Sequence, residues 1–146
     1  MKKHLLFLSA LIVLSIAAFA QSTIQLIDGW AGTANGQTYD VWAAISDSVV
    51  DFELDAKNTG TTSKDYLMKR QEISLVTGTE NYFCWDQCYA PFVGQSPTIV
   101  TIASNGTFLL PSCHYKAHGY VGTSTIKIGD FCLVVLRHSP GISRQL

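Results

Sequence analysis

The stretch Val50-Asp51-Phe52-Glu53-Leu54-Asp55-Ala56 decides the fold class of this chain. Apolar side chains occupy every second position from Val50 to Ala56, and acidic side chains occupy the positions between them. Because successive side chains of a β-strand point to opposite faces, this alternation predicts a strand. One side of the strand is therefore expected to be buried and the other to face water.

Short apolar and β-branched runs of this kind recur along the chain, separated by residues that favour turns. Dipeptides such as Asn35-Gly36, Asn105-Gly106 and Gly129-Asp130 tolerate the positive φ angles that tight turns need. About seven to nine short strands in about 125 residues predict one all-β domain, and they favour a two-sheet antiparallel β-sandwich over a barrel. The predicted strands span 23–27, 39–45, 49–54, 66–76, 98–104, 107–110, 113–116, 123–128 and 131–137.

The first 20 residues have the parts of a secretory signal in order. Lys2 and Lys3 precede an apolar run from Leu5 to Phe19, which ends at the small residues around Ala20. A membrane-spanning helix needs about 20 apolar residues, and this run has only about 15. We therefore expect a signal peptide over 1–20, a β-sandwich domain over 21–138 and a disordered tail over 139–146. The protein is expected to be exported, as a secreted, cell-surface or periplasmic protein, and not to be an integral membrane protein.

The charge of the chain argues against two classes of partner. Removing Lys2 and Lys3 leaves 8 of the 10 basic residues against 11 acidic ones, a formal net charge of −3. Binding to a phosphate backbone or to an anionic membrane surface draws on an excess of Lys and Arg. No nucleic-acid partner is therefore expected.

Four cysteines follow the signal peptide, at positions 84, 88, 113 and 132. Export brings them into oxidising conditions, where an even number favours two disulfides. Three connectivities are possible, of which the favoured one joins Cys84 to Cys88 in a small loop and Cys113 to Cys132 between neighbouring strands. A zinc site is the competing interpretation, but Cys-x3-Cys departs from the usual Cys-x2-Cys spacing.

The block Asn81-Tyr82-Phe83-Cys84-Trp85-Asp86-Gln87-Cys88-Tyr89-Ala90-Pro91 follows Asp55-Ala56-Lys57-Asn58-Thr59 and the run from Glu72 to Thr79. Together these segments resemble the secreted immunoglobulin-like domains of Bacteroidota, which often occur in proteins exported by the type IX secretion system. The resemblance covers roughly Val49 to Ile128 and implies an immunoglobulin-like β-sandwich and export across the inner membrane. Cys113 and Cys132 are not part of the family pattern, and residues after Arg137 do not resemble a C-terminal sorting domain.

The loop between Cys84 and Cys88 is the predicted binding site. Trp85 and Tyr89, with Asp86 and Gln87 between them, could form an exposed platform that stacks on a glycan or grips a protein surface. The alternative is that Trp85 packs over the disulfide as part of the core.

Candidate catalytic residues are few. His114 and His118 are four apart, but in a strand that spacing separates them by about 13 Å, too far for one metal ion. The acidic strand around Asp51 is explained by a solvated face, and no Gly-x-Ser-x-Gly motif is present. We therefore expect a non-catalytic, exported binding or structural module with no cofactor and no metal site. The alternative is a small secreted hydrolase or metal-dependent enzyme that uses His114, His118 and the acidic strand.

Overall fold

A computed structural model describes residues 23–28, 32–47, 49–109, 111–129 and 132–140. These residues form strands joined by turns and bends, and no helix among them is long and apolar enough to cross a membrane. The predicted signal peptide and residues 141–146 of the predicted tail lie outside the described residues. In chain order the strands are β1 (Ile24–Asp28), β2 (Gly32–Thr33), β3 (Gln37–Ala44), β4 (Val50–Glu53), β5 (Asp55–Asn58), β6 (Lys64–Tyr66), β7 (Arg70–Ser74), β8 (Glu80–Cys84), β9 (Cys88–Tyr89), β10 (Val100–Ile102), β11 (Thr107–Phe108), β12 (Ser112–Lys116), β13 (Gly122–Ile128) and β14 (Cys132–Ser139).

Two four-stranded sheets face each other, with the strand orders β4-β12-β8-β9 and β3-β14-β13-β7. Tyr115 of β12 connects them: its ring stacks on His138 of β14 with centroids 4.9 Å apart, and its hydroxyl lies 2.7 Å from Ser124 Oγ of β13. A further sheet, β11-β5-β1-β2, and the pair β10-β6 complete the described strands. The predicted all-β, immunoglobulin-like antiparallel β-sandwich is therefore confirmed, with one parallel pair, β3 with β14, at the edge of the second sheet.

The alternation at residues 50–56 is present, but the stretch forms two strands that belong to different sheets. The chain passes from one sheet to the other at Leu54, whose N–H donates to the carbonyl oxygen of Pro111 at 3.0 Å. Val50, Leu54 and Ala56 are buried, whereas Asp51 and Glu53 are exposed. The predicted strand 66–76 is divided in the same way, because β6 pairs with β10 and β7 pairs with β13. Strands that change sheets at a bend are common in sandwiches.

Strand β8 was not predicted, although it is one of the two inner strands of the first sheet. It pairs with β12 from Cys84 opposite Ser112 to Glu80 opposite Lys116. Asn81 occupies an inward position next to Phe83 and is 1% exposed. Because a polar residue stands where the alternation requires an apolar one, the period of this strand is not visible in the sequence.

A second buried asparagine, Asn58, ties four segments together at the end of β5. Its side chain is completely buried, and Nδ2 donates to the carbonyl oxygens of Thr62, Ile102 and Ala103 at 2.8, 2.9 and 3.2 Å. Its Oδ1 accepts hydrogen bonds from the Gly60 N–H at 2.9 Å and from the Tyr66 hydroxyl at 3.0 Å. A buried amide with both of its groups satisfied is stable, and it fixes the segments that it joins.

The two faces of β4 give a first test of the fold. We expect Phe52→Asp to lower the free energy of unfolding by several kcal/mol, because the half-buried Phe52 ring packs against Tyr39 and a charge there would lack a partner. Asp51→Asn should change the stability little, because the Asp51 side chain is 46% exposed and Asn keeps an acceptor for His114. Thermal unfolding of the two variants measures the difference, and equal melting temperatures would show that the register of β4 is wrong.

Candidate functional site

The predicted disulfide between Cys84 and Cys88 is confirmed. The two cysteines lie directly opposite each other in the β8–β9 hairpin, with Cα atoms 3.9 Å apart. Cys84 is 8% exposed, whereas Cys88 is exposed to solvent. The loop between them is also closed by the Trp85 N–H, which donates to the Gln87 carbonyl oxygen at 3.0 Å.

The loop does not present an exposed aromatic platform. Trp85 is 3% exposed and packs edge-on against Phe108, with ring centroids 5.0 Å apart, and Tyr89 is 7% exposed. Both rings point inward because the hairpin directs them toward the apolar core, where large apolar area is best buried. Of the four predicted binding residues, only Asp86 and Gln87 face solvent. The Tyr89 hydroxyl donates a hydrogen bond to Asp86, which lowers the pKa of the Asp86 carboxyl and orders the loop.

Three polar residues, Asp51, Ser112 and His114, lie next to the disulfide. Together with Cys84 and Cys88 we call them the His114 cluster. The outward faces of β4, β12, β8 and β9 bring these residues together. His114 Nδ1 lies 2.6 Å from Asp51 Oδ1, and its Nε2 lies 2.9 Å from Ser112 Oγ and 3.1 Å from Cys84 Sγ.

The position of His114 is fixed from a further side. Its ring stacks on the ring of Tyr82 in β8, with centroids 4.6 Å apart and an interplanar angle of 13°. His118 is not part of this arrangement, because it is exposed in the turn after β12 and has a φ of 50°. The pairing of His114 with His118 that the enzyme hypothesis required is therefore absent from the described residues.

Asp51, His114 and Ser112 have the order of a hydrolase triad, but their surroundings do not fit acyl transfer. Ser112 is the first residue of β12, and it lies opposite Glu53 of β4 on one side and opposite Cys84 of β8 on the other. The backbone N–H groups of such a strand are used in the two ladders, so they cannot stabilise an oxyanion in front of the Ser112 hydroxyl.

Cys113 is a buried core residue on the opposite face of β12, and Cys132 begins β14. These strands belong to different sheets, so they are not hydrogen-bonded neighbours. A bridge between the two cysteines would have to cross the sandwich. Because the side chain of Cys132 lies outside the described residues, the bridge stays a prediction.

An exposed aromatic side chain is found instead in the turn that follows β9. Phe92 is 91% exposed at the tip of this turn, in which the Val93 N–H donates to the Ala90 carbonyl oxygen at 2.9 Å. The buried guanidinium of Arg70 supports the turn from beneath, donating through Nη2 to the carbonyl oxygens of Pro91 and Val93. We call residues 90–94 the Phe92 turn.

Backbone N–H groups of the segment from Met68 to Arg70 also hold the Phe92 turn and the residues that follow it. The Arg70 N–H donates to the Gly94 carbonyl oxygen at 2.8 Å, and the Met68 N–H donates to Ser96 Oγ at 3.0 Å. Arg70 Nη1 donates to the Asn81 carbonyl oxygen at 2.8 Å and to Glu72 at 3.0 Å, which compensates for burying the guanidinium. Burial lowers the pKa of Arg70, while the neighbouring Glu72 opposes this shift.

Comparison with known proteins supports the fold but does not indicate a function. The sequence matches no protein-family model and no curated protein sequence. Among solved structures the chain is similar to the N-terminal domain of PorA, with a TM-score of 0.56 and 18% identity over 82% of this chain and 99% of that one. It is also similar to an ASH/PapD-like domain of human CEP192, with a TM-score of 0.44 and 9% identity over 82% of this chain and 87% of that one. At 18% identity the similarity to the PorA domain shows a shared fold.

The small loop closed by Cys84 and Cys88 was predicted from the sequence, but the exposed Phe92 was missed. The signal that could have found it is the run Ala90-Pro91-Phe92-Val93-Gly94, in which Pro and Gly indicate a turn and a bulky apolar residue stands at its tip. An apolar side chain in a turn has no core to enter, which makes it a candidate contact for another molecule.

Proposed function

We propose that this protein is a non-catalytic, exported immunoglobulin-like module that binds a protein partner through the Phe92 turn. The observation that carries the proposal is the exposure of Phe92, which is 91% for a large aromatic side chain at the tip of an ordered turn. Aromatic residues of this kind supply much of the binding energy in protein interfaces when they enter a pocket of the partner.

The order of the turn supports this role. A flexible loop loses conformational entropy when it binds, and that loss subtracts from the affinity. Arg70 holds two carbonyl groups of the turn and lies in the described core, so the direction of Phe92 is set before any partner arrives. A rigid aromatic anchor with few free torsions is well suited to form a central contact.

The surroundings of Phe92 favour a protein over a glycan. Its neighbours Pro91 and Val93 are apolar, whereas sugar recognition combines a stacking ring with hydrogen-bonding side chains close to it. The exposed polar side chains Asp86 and Gln87 lie at the other end of the two-residue strand β9, in the position of a polar rim. Secretion, cell-surface display or a periplasmic location is proposed from the signal peptide.

Binding to the cell envelope of the producing bacterium tests the proposal. Labelled protein is titrated against an envelope fraction, and the saturable part of the binding is measured. We expect Phe92→Ser to weaken this binding at least about tenfold, a loss of about 1.4 kcal/mol or more, because large aromatic residues at the centre of an interface contribute most to the binding energy. The matched control is Val121→Ser, which removes a side chain that is 56% exposed at the opposite end of β13 from Arg70.

Two treatments identify the chemistry of the partner. Digesting the envelope fraction with a protease should abolish the binding, and oxidising its glycans with periodate should leave the binding intact. The reverse pattern would replace the protein partner by a glycan. Equal affinity of wild type and Phe92→Ser, or equal losses for Phe92→Ser and Val121→Ser, would reject the Phe92 turn as the binding surface.

A further inference from the structure

The His114 cluster has the composition and the geometry of a metal site that the disulfide closes. The sulfur atoms of Cys84 and Cys88 and a ring nitrogen of His114 all lie within 4.8 Å of one another. Two thiolates and one imidazole are ligands of thiophilic ions such as Zn²⁺ and Cu⁺. In the disulfide these sulfurs are bonded to each other, so they cannot act as thiolate ligands.

The hydrogen bond to Asp51 selects the tautomer of His114 that a metal ligand needs. An ionised carboxylate only accepts hydrogen bonds, so Asp51 places the imidazole proton on Nδ1, which is 2.6 Å away. The lone pair of Nε2 then points toward Ser112 Oγ and Cys84 Sγ. A carboxylate that orients a histidine through its other nitrogen is the usual outer-shell support of zinc ligands.

The distances are suitable for coordination after a small rearrangement. With a metal–sulfur bond of about 2.3 Å and a metal–nitrogen bond of about 2.0 Å, tetrahedral ligand atoms lie about 3.5 to 3.8 Å apart. Cys84 Sγ already lies 3.1 Å from His114 Nε2. The two sulfurs need to separate, which side-chain rotation allows, and the Ser112 hydroxyl has to release Nε2. Because Cys88 is exposed, an ion can reach the site from solvent.

We propose that reduction of the Cys84–Cys88 disulfide opens a binding site for one thiophilic metal ion, formed by Cys84, Cys88 and His114 Nε2. A dithiol reductant supplies two electrons and two protons, so the S–S bond breaks, each cysteine gains one hydrogen and the dithiol closes into its own disulfide. Metal binding then replaces the two thiol protons, which pass to water, by two metal–sulfur bonds. Water fills the fourth position, as in sites with three protein ligands. The cluster is thus a redox-controlled metal site, in addition to the Phe92 turn.

Titration with Co²⁺ tests this proposal, because thiolate coordination gives Co²⁺ a charge-transfer band and tetrahedral geometry gives it visible d–d bands. The full mature chain is titrated in the oxidised form and after anaerobic reduction by a phosphine, which becomes a phosphine oxide with oxygen from water. We expect one Co²⁺ per chain with both bands in the reduced protein, and neither band in the oxidised protein. Zn²⁺ should displace the Co²⁺ at one equivalent.

Variants assign the ligands. The double change Cys84→Ser with Cys88→Ser keeps Cys113 and Cys132 and should remove the charge-transfer band. His114→Ala should weaken binding at least tenfold, and Asp51→Asn about 10- to 100-fold, the range for outer-shell partners. His118→Asn is the matched control and should bind as wild type does, because His118 is remote from the cluster. Phe92→Ser should also bind Co²⁺ normally, so failure of this site and failure of the Phe92 turn are distinguishable.

Several results would overturn the metal site. A folded, reduced protein without the charge-transfer band would exclude it, and so would binding that persists in the double serine variant or that is unaffected by His114→Ala. Circular dichroism follows the fold throughout. If the reduced chain is unfolded, refolding on addition of one equivalent of metal supports the site, and a chain that stays unfolded with metal contradicts it.

Discussion

Replacing Trp85 by alanine is expected to lower the free energy of unfolding by about 3 to 5 kcal/mol, the range for removing a large buried aromatic side chain. Trp85 is 3% exposed, packs against Phe108, and lines a small apolar cavity of about 50 Å³ with residues that include Leu54 and Ile128. Truncation of the Trp85 side chain would enlarge this cavity. Urea unfolding of wild type and variant measures the loss, which is a large fraction of a typical domain stability.

Two matched variants show whether the loss comes from burial. Trp42→Ala removes the same side chain from a position that is 38% exposed on β3 and should cost much less. Trp85→Phe keeps most of the buried ring and should also cost less than alanine, because Trp85 Nε1 has no hydrogen-bond partner among the described residues. An unchanged melting temperature for Trp85→Ala would reject the core position and restore Trp85 as a recognition residue.

The change Asn58→Asp is expected to destabilise the protein by at least about 3 kcal/mol at neutral pH, although it replaces only the side-chain NH2 group by an oxygen. Asp has no amide hydrogens, so the carbonyl oxygens of Thr62, Ile102 and Ala103 would each lose a donor. Each unsatisfied buried group costs about 1 to 3 kcal/mol, and a buried charge adds to this. Denaturant unfolding at pH 7 measures the effect.

Asn105→Asp is the matched control for this prediction. Asn105 is exposed in the turn before β11 with a φ of 57°, and its Nδ2 donates to Ser104 Oγ at 3.2 Å. Asp tolerates this backbone conformation and remains hydrated there, so the change should cost less than about 0.5 kcal/mol. Similar losses for the two variants would show that the buried hydrogen bonds of Asn58 do not hold its four segments together.

The sequence predicted those parts of the fold that depend on local alternation. Val50 to Ala56 showed its buried and solvated faces directly, and the turns at Asn35-Gly36 and Asn105-Gly106 were placed by their glycines. The change of sheet at Leu54 could not be predicted in this way, because both halves of the stretch keep the same alternation. Strand β8 was missed because Asn81 is buried through hydrogen bonds to Arg70 and Glu72, which lie 9 to 11 residues away in the chain.

At the candidate sites, too, the sequence predicted what depends on nearby residues and missed what depends on contacts between distant ones. The Cys84–Cys88 bridge was predicted because the four-residue separation and the signal-peptide pattern, which implies an oxidising compartment, are both visible in the sequence. The His114 cluster was not predicted, since it joins Asp51, Cys84 and His114 from three strands that are paired only in the folded sheet. The direction of Trp85 was likewise left open by the sequence, because an aromatic ring beside a disulfide can face either the core or solvent.

The parallel pairing of β3 with β14 has a consequence for when the domain can fold. Asp40 and Arg137 form an ion pair across these two strands, and they are 97 positions apart in the chain. The edge of the second sheet therefore cannot close until its last strand is available, and contacts this distant form slowly because a long loop must close first. Until then β13 lacks the neighbour that covers one of its hydrogen-bonding edges. Strand β14 is thus required before this edge of the sandwich can form, and an intermediate that lacks it exposes an unpaired strand to association with other chains.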